Sequence, residues 1–127
     1  TQVVRLMAGR DINPVGAKVL LLGFAFKENC PDVRNTRVID IYTNLQDYHA
    51  HVDIYDPWVD ADEAEHEYGI RPIATLEQSA YDAVIIAVGH QQFKDLGAAG
   101  IRALAKPNSV IYDVKHILPR DAVDGRL

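Results

Sequence analysis

The residues best equipped to act on a ligand lie in one stretch, GFAFKENCPDVRNT, from Gly23 to Thr36. It holds Lys27, Cys30, Asp32 and Arg34. Lys27 offers a compact charge, and Arg34 a planar fork that can grip two phosphate oxygens. Asp32, two residues before Arg34, is placed to orient that guanidinium. Together these side chains could hold a phosphate-like anion. The plainer alternative is that Lys27 and Arg34 are ordinary solvated cations. Cys30 as a nucleophile would need a base or a stabilised thiolate, and its neighbours Glu28 and Asp32 are acidic, so it reads as an incidental thiol. The five histidines show no H-x-x-x-H ligand spacing with acidic support, so no metal site is expected.

The elements that must carry these groups alternate. TQVVRLMAGRDINPVG reads as the end of a helix and a Pro14/Gly16 break. AKVLLLGF is a continuous apolar run, the pattern of a strand covered on both faces. A helix follows from Thr36, with Asn35 or Thr36 as its N-cap. AHVDIYDP is a second strand ending in an Asp-Pro turn, and residues 59–68 form an acidic exposed helix closed by Gly69. IRPI suggests a short strand, TLEQSA a brief helix capped by Thr75, and YDAVIIAVGH a buried strand. GAAGIRALA reads as a helix of small residues, SVIYDVK as the last strand, and residues 116–127 as an irregular tail.

Strands alternating with helices predict an α/β fold, a Rossmann-like doubly wound parallel sheet of about five strands with helices on both faces. Ligands in such sheets sit beyond the carboxyl ends of the strands. Those ends are Gly23–Lys27, Asp56-Pro57, Gly89-His90 and Asp113–Lys115. Lys115 thus shares a rim with Lys27. A backbone cradle for a dinucleotide needs G-x-G-x-x-G, and the first loop has only Gly23. Asp56 stands where a Rossmann domain puts its ribose-binding acid, but IYDP fits an Asx turn better. His90 could cap the turn that follows it.

Composition narrows the classes. The chain has 127 residues, 48% hydrophobic and 24% charged, which fits one globular domain. Its net charge of −5 gives no general attraction for nucleic acid or an anionic membrane, so a phosphate must be held locally. No apolar run has transmembrane length. A single cysteine excludes an internal disulfide and suits a reducing compartment, the cytoplasm being the expected one. The sequence opens on Thr1, without Met or a signal peptide, and so reads as a piece of a longer protein.

The stretch G-x-x-F-K-x-x-x-x-D-x-R-x-T, followed by VDIYDPWV, YDAVIIAVGHQQF and VIYDVKHIL, resembles the C-terminal domain of the UDP-glucose/GDP-mannose dehydrogenase family. The likeness runs in order through nearly the whole chain. AVGHQQF and DVKHILP…DGRL look most like the bacterial branch acting on UDP-N-acetylhexosamines, including Vi and O-antigen enzymes. The resemblance implies that residues 1–12 end an interdomain connector helix and that 13–127 form the UDP-sugar-binding domain. The intact enzyme would oxidise C6 of a UDP-sugar to a carboxylate in two NAD-dependent steps. It would work in the cytoplasm for surface polysaccharide synthesis, as a homo-oligomer. An N-terminal domain would hold most of the NAD.

By that resemblance Phe26 and Lys27 contact the UDP-sugar, Arg34 reaches NAD phosphate with Asp32 supporting it, and Lys115 contacts substrate. The family often has D-G-R where this chain has Asp113-Val114-Lys115, and lysine lacks the guanidinium fork. Cys30 does not match the family's catalytic cysteine, so no catalytic residue is expected here and the chain alone should be inactive. Two other readings stay open: a stand-alone nucleotide-sensing domain, or a structural domain serving oligomerisation.

Overall fold

The computed structural model describes residues 2–127; Thr1, the first residue of the expected connector, lies outside the described residues. Helix α1 (Gln2–Gly9) leads into strand β1 (Lys18–Leu22), helix α2 (Val38–Asp47) and strand β2 (His51–Tyr55). Helix α3 (Ala61–Tyr68), strand β3 (Tyr81–Ile86), helix α4 (Gln91–Arg102) and strand β4 (Ala105–Asp113) follow. A 3-10 turn (Arg120–Ala122) and strand β5 (Gly125–Arg126) end the chain. The five strands form one all-parallel sheet in the order β2-β1-β3-β4-β5.

The apolar runs dictate this layering. Side chains of a strand point alternately to opposite faces. Val19 and Leu21 join Ala83, Ile85, Val110 and Tyr112 on one face, beneath Val3 and Met7 of α1, Val38 and Leu45 of α2 and Ala64 of α3. Leu20 and Leu22 join Val84, Ile86 and Ile111 on the other, beneath Phe93 and Ile101 of α4. All four of these β1 side chains are fully buried. Each contributes roughly 1.5–3 kcal/mol of hydrophobic stabilisation. A strand exposed on one side could not carry such a run, so the helices must cover both faces.

The ends of α3 are fixed locally. Asp60 caps it by accepting from the amides of Asp62 and Glu63, and Gly69 closes it in the left-handed conformation. The Thr36 hydroxyl accepts from the Val38 amide, one position ahead of the N-cap of α2.

Several expectations change. IRPI is not a strand: Ile73 donates one bond to the Ile54 carbonyl, but Pro72 has no N–H with which to extend a ladder. The fifth strand is Gly125–Arg126, in the tail expected to be irregular. There the Asp124 carboxylate accepts from the Ile111 amide and pairs with Arg10 and Arg102. TLEQSA is not a helix; Ser79, at φ +53°, and Ala80 bond instead to the Ala103 and Leu104 carbonyls. The last long helix starts at Gln91, six positions before GAAGIRALA, and bends at Gly97, while β4 already begins at Ala105 and ends at Asp113.

Between β1 and β3 the strand order reverses, because one connection leads out to β2 and the other to β4. The loops beyond this switch point, Gly23–Arg37 and Ala87–His90, are where such a sheet offers a ligand crevice.

Candidate functional site

The first loop does not leave that crevice open; it folds onto the second. The Ala87 and Val88 amides donate to the Leu22 carbonyl at 2.9 and 3.3 Å. Gly23, at φ +106°, lies so close to Val88 that an added Cβ would stand 2.5 Å from the Val88 Cβ. The one glycine of the loop therefore serves packing between the loops, not approach to a pyrophosphate. These residues do not form a dinucleotide cradle.

Asp56 and His90 organise what lies above. Asp56 Oδ2 accepts from the Phe24 amide at 2.6 Å, the Ala25 amide at 2.9 Å and His90 Nε2 at 2.9 Å. Its Oδ1 accepts from the Trp58 amide at 2.8 Å, the Asx turn expected of IYDP. The Asn29 amide donates to His90 Nδ1 at 2.8 Å. An acceptor at Nδ1 carries no proton, so the proton of the neutral ring sits on Nε2 and is given to Asp56. Burial pushes the Asp56 carboxyl up, but the bonds from His90, Phe24 and Trp58 outweigh it and hold the group below its ordinary value.

The pair resembles an acid–base dyad, yet both side chains have no exposed surface and both ring nitrogens are spent on internal bonds. It holds structure rather than moving protons. His90 occupies the N-cap position of α4 without a side-chain cap bond; its ring turns toward the loop instead.

On this support the loop presents its functional groups outward. Phe26 is 52% exposed, and its amide donates to the Asp32 carbonyl. Lys27 is exposed, and its ammonium has no hydrogen bond or ion pair among the described residues. Lys115 is likewise exposed and unpaired. The buried Asp113 shapes its turn by accepting from the Lys115 amide at 3.1 Å and the Leu118 amide at 2.9 Å. The Lys115 Cβ lies beside Gly89, and His90 next to that glycine binds the Lys27 loop. Lys27 and Lys115 thus sit on two loops that both touch the Gly89-His90 connection.

Arg34 behaves differently. Its Nε and Nη2 face Asp32 at 3.2 and 3.5 Å, and its amide donates to the same carboxylate. Hydrogen bonding to Arg34 holds Asp32 below its ordinary value, and the same bond raises Arg34 further. Its side chain is 73% exposed, so an incoming anion can still reach the fork.

Cys30 is partly buried and makes no disulfide. Among the described residues no group of three His, Cys, Asp or Glu could hold a metal ion, and no helix is long and apolar enough to cross a membrane. A cavity of about 680 Å³ lies at the tail between Gln2, His116, Arg120 and Arg126, and its lining does not include Lys27.

The sequence had marked Asp56 as a turn and His90 as a cap. It gave no sign that they meet, or that Asn29 joins them. The signal available was only that an Asp and a His each end a strand on the same rim.

Fold and rim together define a Rossmann-like α/β domain whose first loop turns exposed side chains outward while the Phe24, Ala25 and Asn29 amides point inward. Residues 20–120 match the UDP-glucose/GDP-mannose dehydrogenase family, UDP binding domain, and the chain belongs to that family. It is 52% identical over 126 residues to UDP-N-acetyl-D-glucosamine 6-dehydrogenase of Salmonella typhi, and 51% identical over 127 residues to the Pseudomonas aeruginosa enzyme of that name. These alignments cover 99% and 100% of the chain but 30% of each relative. The crystal structure of the NDP-N-acetyl-D-galactosaminuronic acid dehydrogenase from Methanosarcina mazei Go1 superposes with a TM-score of 0.80 at 27% identity, covering 94% of this chain and 25% of that one.

Proposed function

We propose that this chain is the nucleotide-binding C-terminal part of an NAD-dependent dehydrogenase that oxidises C6 of a UDP-N-acetylhexosamine to the uronic acid. The oxidation passes two hydrides to two NAD⁺, and water supplies the second carboxylate oxygen. Residues 1–12 end a connector from an N-terminal domain, and that domain carries the NAD cradle absent here. Lys27 and Lys115 face the UDP phosphates or sugar, and Phe26 lies along the same ligand. Arg34, steadied by Asp32, reaches NAD phosphate across the cleft. The intact enzyme is a cytoplasmic homo-oligomer in surface polysaccharide synthesis.

The observation that carries this reading is the unpaired Lys27 on an anchored loop, with a second unpaired lysine, Lys115, on the same rim of a chain that is net acidic. Holding the sugar's C6 against NAD is a positioning task, and positioning can contribute about 7 kcal/mol or more to a barrier.

UDP added to the chain should shift the NMR amide signals of Phe26, Lys27 and residues 113–116. Lys27→Ala should weaken UDP roughly 10- to 100-fold, the range expected for losing one charge-assisted phosphate contact of about 1.5–3 kcal/mol. A domain with only a structural role would keep the wild-type response. The chain by itself should produce no NADH from NAD⁺ and UDP-N-acetylglucosamine; a rate above background would overturn the division of labour proposed here.

A further inference from the structure

We infer that the buried Asp56–His90 pair is the positioning element of the nucleotide loop. It fixes both ends of the segment that carries Phe26 and Lys27, and so sets that loop's affinity for a nucleoside diphosphate without touching the ligand. The inference rests on the nucleotide reading above.

The bonds fall at the two ends of the segment. At the start, the Phe24 and Ala25 amides are held by Asp56 Oδ2. At the end, the Asn29 amide is held by His90 Nδ1. His90 Nε2 joins the two anchors to each other. Asn29 also accepts from the Gln91 amide at 2.9 Å through its side-chain oxygen, so the loop and the start of α4 clasp each other reciprocally. Trp58 stands 6.2 Å from the His90 ring, centre to centre, and its indole N–H donates to Gln92 Oε1 at 3.0 Å. Between these fixed ends Phe26 and Lys27 face solvent.

A loop held this way has lost its freedom before the ligand arrives. A loose one must lose it on binding and binds more weakly. The strand order explains why the anchors come from β2 and β3: these strands flank β1 on either side, so their ends bracket its loop.

The two halves of the pair can be separated by substitution. In His90→Gln the amide nitrogen can replace Nε2 toward Asp56, but nothing accepts from Asn29. In His90→Asn the oxygen can replace Nδ1 toward Asn29, while the bond to Asp56 is lost. Amide hydrogen exchange without ligand and NMR titration with UDP should be run on wild type and both variants. His90→Gln should speed exchange at Asn29 and weaken UDP by about tenfold. His90→Asn should leave Asn29 protected, speed exchange at Phe24 and Ala25, and recover part of the affinity. Asn29→Gly, on the exposed loop, removes only the clasp to Gln91 and keeps the positive φ comfortable; it should weaken UDP about threefold even if the His90 variants fail to fold.

A merely structural role would lower thermal stability and leave the folded fraction's affinity unchanged, and that result overturns the inference. Unchanged exchange at Asn29 in His90→Gln overturns it as well. If wild type ignores UDP, the nucleotide reading falls, while the exchange data still decide whether the pair holds the loop.

Discussion

Gly23→Ala is expected to destabilise the domain by about 4 kcal/mol, from backbone strain and overpacking at one position. The φ of +106° lies where L residues rarely go. The new Cβ would also meet the Val88 Cβ at 2.5 Å and the Val88 amide nitrogen at 2.9 Å. Val88 cannot retreat, because its amide and that of Ala87 bond to the Leu22 carbonyl. Gly23 itself donates to the Tyr55 carbonyl at 2.8 Å, which holds it from the other side. A loss of this size is a large part of a domain's usual 5–15 kcal/mol. Gly69→Ala is the control: Gly69 has φ +70° with nothing within 4 Å of a built Cβ, so it should lose only about 1 kcal/mol. Urea midpoints of the three proteins decide the point. Equal losses at both glycines would mean that contact with Val88 does not matter.

Asp56→Ala should cost a similar amount, about 3–5 kcal/mol, by leaving buried donors without an acceptor. Four are affected: the Phe24, Ala25 and Trp58 amides and His90 Nε2. The same residue predicts a dependence on pH. Its folded carboxyl is held below the ordinary value, so the folded state favours the ionised form. That contribution is complete above the unfolded value of about 4 and is lost as pH falls through the lower folded value. Stability of the wild type should therefore fall with acid over this window, and Asp56→Asn should flatten that part of the profile. Urea unfolding at a series of acidic pH values tests it, and the single Trp58, bonded to the Asp56 turn, gives the fluorescence signal. An unchanged slope in Asp56→Asn would remove Asp56 as the source.

The two residues also explain why the loop needs no glycine run. Glycines let backbone amides turn toward a phosphate. Here the Phe24, Ala25 and Asn29 amides turn inward to Asp56 and His90 and are no longer available to a ligand. In the nucleotide reading proposed here, binding passes to side chains, and Lys27 is the cation on the segment so held.

Local order was legible from the sequence. KVLLL read as a strand buried on both faces, and Gly69 marked the end of α3, because period and capping act within a few residues. The motif from Gly23 to Thr36 likewise pointed to the family. Three things depended on the tertiary structure. Gly125–Arg126 is too short to announce itself, and pairs with β4 where Asp124 bonds Ile111 of β4 and pairs with Arg102 of α4 and with Arg10, just after α1. Gly23 owes its identity to Val88, 65 positions on by their numbering, and Asp56 meets His90 across 34 residues. Such pairings carry no periodic signal, since they exist only once parallel strands bring the loops to one rim. The sequence determined which cationic groups the first loop carries and what fold would hold them; the fold decided which amides were already spent and left Lys27 and Lys115 exposed without a partner among the described residues.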